Sequence, residues 1–195
     1  MNNRLLRLCL LFCSLWAIAP NSHAEDTWDL DLLLQSLATI RSSHASFIEK
    51  KFIAILDTPV ESSGELFYTA PDRLEKRTMK PKAESMVLDK DKLIVEQRGK
   101  KHILSLQSYP EIAAFIDSIR GTLAGDRKAL ERSYKLSIAG TQQDWDLNLL
   151  PLDDKMKKVV ASINISGSGN MLETIKIKQA DGDSSVMMIS PLPAP

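Results

Sequence analysis

The sequence predicts an α+β fold: a curled antiparallel sheet of about ten or eleven short strands, with helices available to cover its concave face. Two observations carry this. Most segments alternate apolar and polar residues at period two and are joined by links of a few residues, which favours antiparallel neighbours over crossover units. Two stretches instead repeat apolar residues at helical spacing. The chain has 195 residues and is 44% hydrophobic, enough for one buried core. With 25 Lys+Arg balanced against 25 Asp+Glu, it is neither a generic basic nucleic-acid binder nor an acidic disordered tail.

Residues 1–24 read as a secretory signal. Arg4 and Arg7 form the positive start, residues 5–19 are nearly unbroken apolar, and Ser22-His23-Ala24 offers small residues where signal peptidase cleaves. The run is short for a membrane span and ends at Pro20-Asn21, so cleavage after Ala24 is expected. Leu11 and Phe12 precede Cys13, where lipid attachment normally wants a small residue. Removing the leader removes Cys9 and Cys13, so the mature chain has no thiol and needs no oxidative folding step.

The mature chain opens with a helix capped by Asp26 or Thr27, its stripe formed by Leu30, Leu33, Leu34 and Leu37 and its end at Ser42-Ser43. From Ala45 the period becomes two, through Phe47, Ile53 and Ile55, with Pro59 and Gly64 marking a turn. Strands are expected at 64–69, 73–79, 85–89, 92–98 and 101–107. A second helix then starts at Pro110, where a first helical turn accepts proline. Its stripe is Ile112, Phe115, Ile116, Ile119 and Leu123; Gly121 and Gly125 break the block, and Asp126 caps a short helix through Leu130. Further strands are expected at 134–139, 145–150, 159–166, 172–179 and 184–190, with Asp181-Gly182 as a tight hairpin turn. Asp153-Asp154 and Lys155 to Lys158 read as solvated strand ends. Residues 25–190 form one domain, and Pro191, Pro193 and Pro195 make a tail, 191–195, unable to join a central strand.

The chemistry inventory is sparse. The mature chain has His44 and His102 as its histidines, and no HExxH, CxxC or GxSxG motif. Two carboxylates in Asp181-Gly182-Asp183 fall well short of the ~6–8 oxygens calcium takes. The expectation is a non-enzymatic protein with no cofactor and no metal.

Ser43-His44-Ala45-Ser46-Phe47, Gly64-Glu65-Leu66-Phe67-Tyr68, Pro71-Asp72, Pro81, Glu84-Ser85 followed by Met86-Val87-Leu88, and Asp91 with Leu93 together resemble the outer-membrane lipoprotein carrier family, the periplasmic LolA-like proteins, in a divergent subgroup. The similarity runs in order over residues 27–98. It implies an unclosed antiparallel β-barrel whose helices form a lid over an apolar cavity. It implies as well a periplasmic carrier of lipid-modified cargo: lipoprotein, glycolipid or fatty-acyl product. The partners would be acyl chains, an inner-membrane donor complex or exporter, and an outer-membrane acceptor, with no nucleic acid and the protein a monomer. An alternative is an interaction module that docks on an inner-membrane lipid exporter and binds no lipid.

The expected cavity-lining residues are Phe47, Leu66, Tyr68, Leu74, Met86, Leu88, Phe115, Ile119 and Leu123, with Gly121 and Gly125 as lid hinge. Met79, Met86, Met187 and Met188 offer thioether side chains that repack around varied shapes. Two positions depart from the family pattern. Ala70 stands where its members have an arginine, and Lys76 where a tryptophan is usual, which makes the expected cavity less aromatic and partly polar.

Overall fold

The computed structural model describes residues 28–193, apart from the side chains of residues 110–112 and 114. The leader, 1–24, and the expected caps Asp26 and Thr27 lie outside the described residues. One sheet holds β1 (Ser42–Phe52), β2 (Val60–Thr69), β3 (Arg73–Lys80), β4 (Glu84–Asp89), β5 (Lys92–Gln97), β6 (Lys100–Ser105), β7 (Tyr134–Thr141), β8 (Asp144–Pro151), β9 (Val160–Ser168), β10 (Met171–Gln179) and β11 (Ser184–Pro191). The order is β6-β5-β4-β3-β2-β1-β11-β10-β9-β8-β7, antiparallel throughout. Short links build every pairing but one. In that one, β1 meets β11, which sets the first and last strands side by side at the centre. β6 and β7 remain as separate edges, so the barrel is unclosed.

Among the described residues four α-helices accompany the sheet: α1 (Leu30–Ala38), α2 (Pro110–Ala124), α3 (Arg127–Ser133) and α4 (Asp154–Lys157). Asp29 caps α1, its Oδ1 accepting from the Leu32 N–H at 2.9 Å, so the cap lies later than Asp26 or Thr27. Leu33, Leu34 and Leu37 are buried against β7–β10, as their spacing requires. Asp126 caps α3 by accepting from the Ala129 N–H at 2.9 Å. α4 corrects the reading of solvated strand ends. Asp153 accepts from the Lys155 and Met156 N–H groups, and the single turn buries Met156 while its lysines stay outside.

Other corrections concern glycine and proline. α2 runs unbroken through Gly121, where a Cβ would come within 3.0 Å of Leu130 Cδ2; close packing on α3 explains this glycine. Gly125 ends α2 in the left-handed region at φ 67°, and a Cβ there would collide with the Leu34 carbonyl of α1. We expect Gly125→Ala to lower stability by more than ~1 kcal/mol. Gly169→Ala, also left-handed at φ 56° but in open space, should lower it less. Denaturant midpoints of the two variants would separate the collision from the backbone effect.

Gly64 lies inside β2 rather than in a turn, next to a register shift against β3. Pro191 belongs to β11, paired with Ala45 of the central β1, and the Leu192 N–H donates to the His44 carbonyl at 2.9 Å. Proline is tolerated there because it closes the strand.

Candidate functional site

The concave face is built by alternation. Along β1, Ala45, Phe47 and Glu49 share one side; on β2 the matching residues are Leu66 and Tyr68, and on β11 they are Met187 and Ile189. Helix α2 lies over this face. Phe115 and Ile119 pack on the core formed by α1 and β7–β11, while Ala113 and Ile116 pack on a smaller cluster of Leu88, Leu93 and Leu106. Between helix and sheet is a cavity of about 640 Å³, within the ~300–1,000 Å³ typical of ligand sites.

Leu66, Tyr68, Leu74, Met86, Phe115, Ile119 and Leu123 line this cavity. Phe47 and Leu88 do not. Phe47 is 2% exposed, and the Lys76 ammonium lies over its ring, 4.8 Å from the centroid. Leu88 is sealed against Leu93 and Leu106. Of the four methionines singled out, Met86 and Met187 line the cavity, whereas Met79 and Met188 are exposed; Met171 lines it as well. Adjacent residues on a strand point to opposite faces, so Met187 and Met188 could not both point inward. Gly121 and Gly125 lie outside the lining, at the packing positions already given.

The far wall, Ile175, Ile177 and Ile189, was not among the expected lining residues. Nor was Glu49, whose carboxylate is buried on the concave face. Lys76 Nζ bonds its Oε2 at 2.6 Å, Ser62 Oγ donates to the same oxygen at 3.4 Å, and Lys51 Nζ is 3.8 Å from Oε1. Lys76 leaves β3 and reaches β1 across β2. The available signal was period two itself: Ala45-Phe47-Glu49 places a charge on a buried face, and such a charge needs a partner.

Tyr68 adds a phenol to the wall. Burial raises its pKa, the Arg41 charge opposes the shift and Asp72 reinforces it, so the group stays protonated at neutral pH. His44 stacks on Phe67 with centroids 4.5 Å apart, and its ring nitrogens meet Pro193 O and Glu65 Oε2. Among the described residues, no three His, Cys, Asp or Glu side chains are grouped to hold a metal ion. No helix among them is long and apolar enough to cross a membrane.

A family model described as outer membrane lipoprotein carrier protein LolA-like matches residues 22–191. Among solved structures, a LolA superfamily protein from Nitrosomonas europaea is 11% identical with a TM-score of 0.46, over 86% of this chain and 96% of that one. LprF from Mycobacterium bovis is 12% identical with a TM-score of 0.39, over 85% and 93%. The lipoprotein LppX from Mycobacterium tuberculosis is 13% identical with a TM-score of 0.45, over 83% and 92%. No curated protein matches this chain in sequence.

Proposed function

This chain belongs to the LolA-like outer membrane lipoprotein carrier family, and we propose that it is a periplasmic carrier whose cavity takes the acyl chains of lipid-modified cargo between the inner and outer membranes. The supporting observation is the cavity of about 640 Å³ walled by aliphatic, methionine and aromatic side chains. Each buried methylene is worth about 0.8 kcal/mol, so a sixteen-carbon chain costs on the order of 12 kcal/mol in water. A carrier must return most of that cost and still release. Met86 and Met187 in the wall fit both demands.

In this reading the carrier is non-enzymatic. Export through the leader brings it to the periplasm, an inner-membrane donor or exporter loads it, and an outer-membrane acceptor unloads it. α2 acts as the lid, with the Gly125 end as pivot. The Glu49–Lys76 pair makes the floor partly polar, which favours a glycolipid or fatty-acyl product over ordinary triacylated lipoprotein. A module that docks on an exporter without binding lipid has no use for such a hollow.

Native mass spectrometry of the mature chain after gentle membrane extraction tests this. Wild type should carry acyl species. Leu66→Trp and Met187→Trp, which fill the hollow from either side of β1, should carry at least tenfold less with unchanged circular dichroism. A wild-type chain that emerges empty under conditions that load a standard carrier would overturn the proposal. Efficient uptake of triacylated lipoprotein from the inner-membrane releasing complex would overturn the narrower cargo assignment.

A further inference from the structure

The link between β1 and β2 breaks the pattern of the other hairpins. Lys90-Asp91, Arg98-Gly99, Gly169-Asn170 and Asp181-Gly182 are polar or glycine turns, as solvent-facing turns usually are. The β1–β2 tip instead reads Phe52-Ile53-Ala54-Ile55-Leu56. Ile55 is 90% exposed, Leu56 48% and Phe52 46%. The tip is also braced: the Leu56 N–H donates to Ile53 O at 2.9 Å, and the Ala54 N–H to Asp183 Oδ1 at 2.9 Å. It projects beyond β3, whose last pairing with β2 is Lys80 against Ser63.

We propose that this tip is a membrane-docking element that sets the mouth of the cavity against a phospholipid bilayer. Continuity with the mouth supports it. The hairpin turn that holds Ala54 is joined to Val159 by the Ala180 N–H, which donates to Val159 O at 3.1 Å. Val159 both lines the cavity and is exposed, and Lys51, next to Phe52, lines it too. The tip is therefore next to residues that line the cavity.

Charge agrees with that placement. Lys80 ends β3 opposite Ser63 with Lys82 just after it, and Lys155 and Lys158 belong to the α4 segment that leads into Val159; all are exposed and outside every ion pair found among the described residues. Most acidic groups nearby are engaged: Asp183 holds Ala54, Asp153 caps α4 and Glu61 pairs with Lys50. Asp57 is the acidic side chain of the tip loop itself.

Size decides between a bilayer and a protein partner. A stable protein interface buries about 800 Å² on each side around an apolar centre with a polar rim. A five-residue convex tip offers neither the area nor the rim. A fluid bilayer can close around it, and attachment comparable to a single acyl chain, on the order of 10⁴ M⁻¹, is weak enough to leave. Reversible contact is what a shuttling protein requires.

Vesicle flotation of the mature chain tests the proposal, using phosphatidylethanolamine vesicles with and without phosphatidylglycerol. Wild type should float with both, and more strongly with phosphatidylglycerol. Ile55→Asp combined with Leu56→Asp should bind both at least tenfold more weakly with an unchanged unfolding midpoint. Lys80→Gln combined with Lys82→Gln should lower only the phosphatidylglycerol arm. The cavity-filled Leu66→Trp chain should float like wild type, so failure of docking and failure of lipid carriage are separable. A wild type that floats with neither vesicle, or an Asp double variant that floats equally well, overturns the proposal. So does binding that appears only when a membrane protein is embedded in the vesicles.

Discussion

Lys76→Met should destabilise the fold by about 3–5 kcal/mol, and adding Glu49→Leu should recover most of that loss. Glu49 is only 5% exposed, and its shortest ionic contact is Lys76 Nζ at 2.6 Å. Removing the ammonium alone strands a buried carboxylate with Ser62 Oγ at 3.4 Å and Lys51 Nζ at 3.8 Å, both too distant to replace it. Removing both charges replaces an ion pair by aliphatic groups, a change that is often neutral or stabilising in a protein interior. Urea midpoints at constant m-value would give the comparison. A single-variant loss below about 1 kcal/mol would mean that the pair behaves as a surface salt bridge.

The same pair has a functional side. A purely apolar cavity would be as stable without charges on its floor, so in the proposed carrier reading the pair would act on which cargo fits. The double variant should accept simple acyl chains at least as well as wild type and lose preference for chains that carry a hydrogen-bonding group. Competition between the two kinds of chain for the mature protein would show it.

Hairpin order was legible because each link is short and carries its own turn chemistry, as at Asp181-Gly182. β1 against β11 was not, since no local signal specifies a pairing between residues as distant as Phe47 and Ile189. The lining was legible where period two could be anchored, as for Leu66 with Tyr68. It failed at Phe47, because what covers that ring is a lysine from a non-adjacent strand. Gly64 could be read as a turn residue only while its neighbours were unknown: a Cβ there would strike the Arg77 carbonyl of β3. α4 was hidden because four residues are too few to display a helical period, although Asp153 is an ordinary cap.

Trp145→Ala should cost about 3–5 kcal/mol, a large share of the ~5–15 kcal/mol by which a domain is stable. Trp145 is fully buried on β8, and the row across the sheet is shaped for it. Its register partners are Gly140 on β7 and Gly167 on β9, and a Cβ on Gly167 would come within 2.7 Å of Trp145 Cζ2. The indole N–H donates to Gly169 O at 2.9 Å in the β9–β10 turn, so the ring also fixes that hairpin. Trp145→Phe separates the two contributions: it keeps much of the apolar volume and gives up the hydrogen bond, for which about 1 kcal/mol is expected. The ring belongs to the buried cluster of α1 and β7–β10 against which Ile177 packs and which includes Ile175, both residues of the cavity wall. Loosening it should therefore weaken acyl-chain binding as well as stability. Equal thermal midpoints for Trp145→Ala and Trp145→Phe would show that the neighbouring strands close over the space, and that the two glycines are not there to seat the indole.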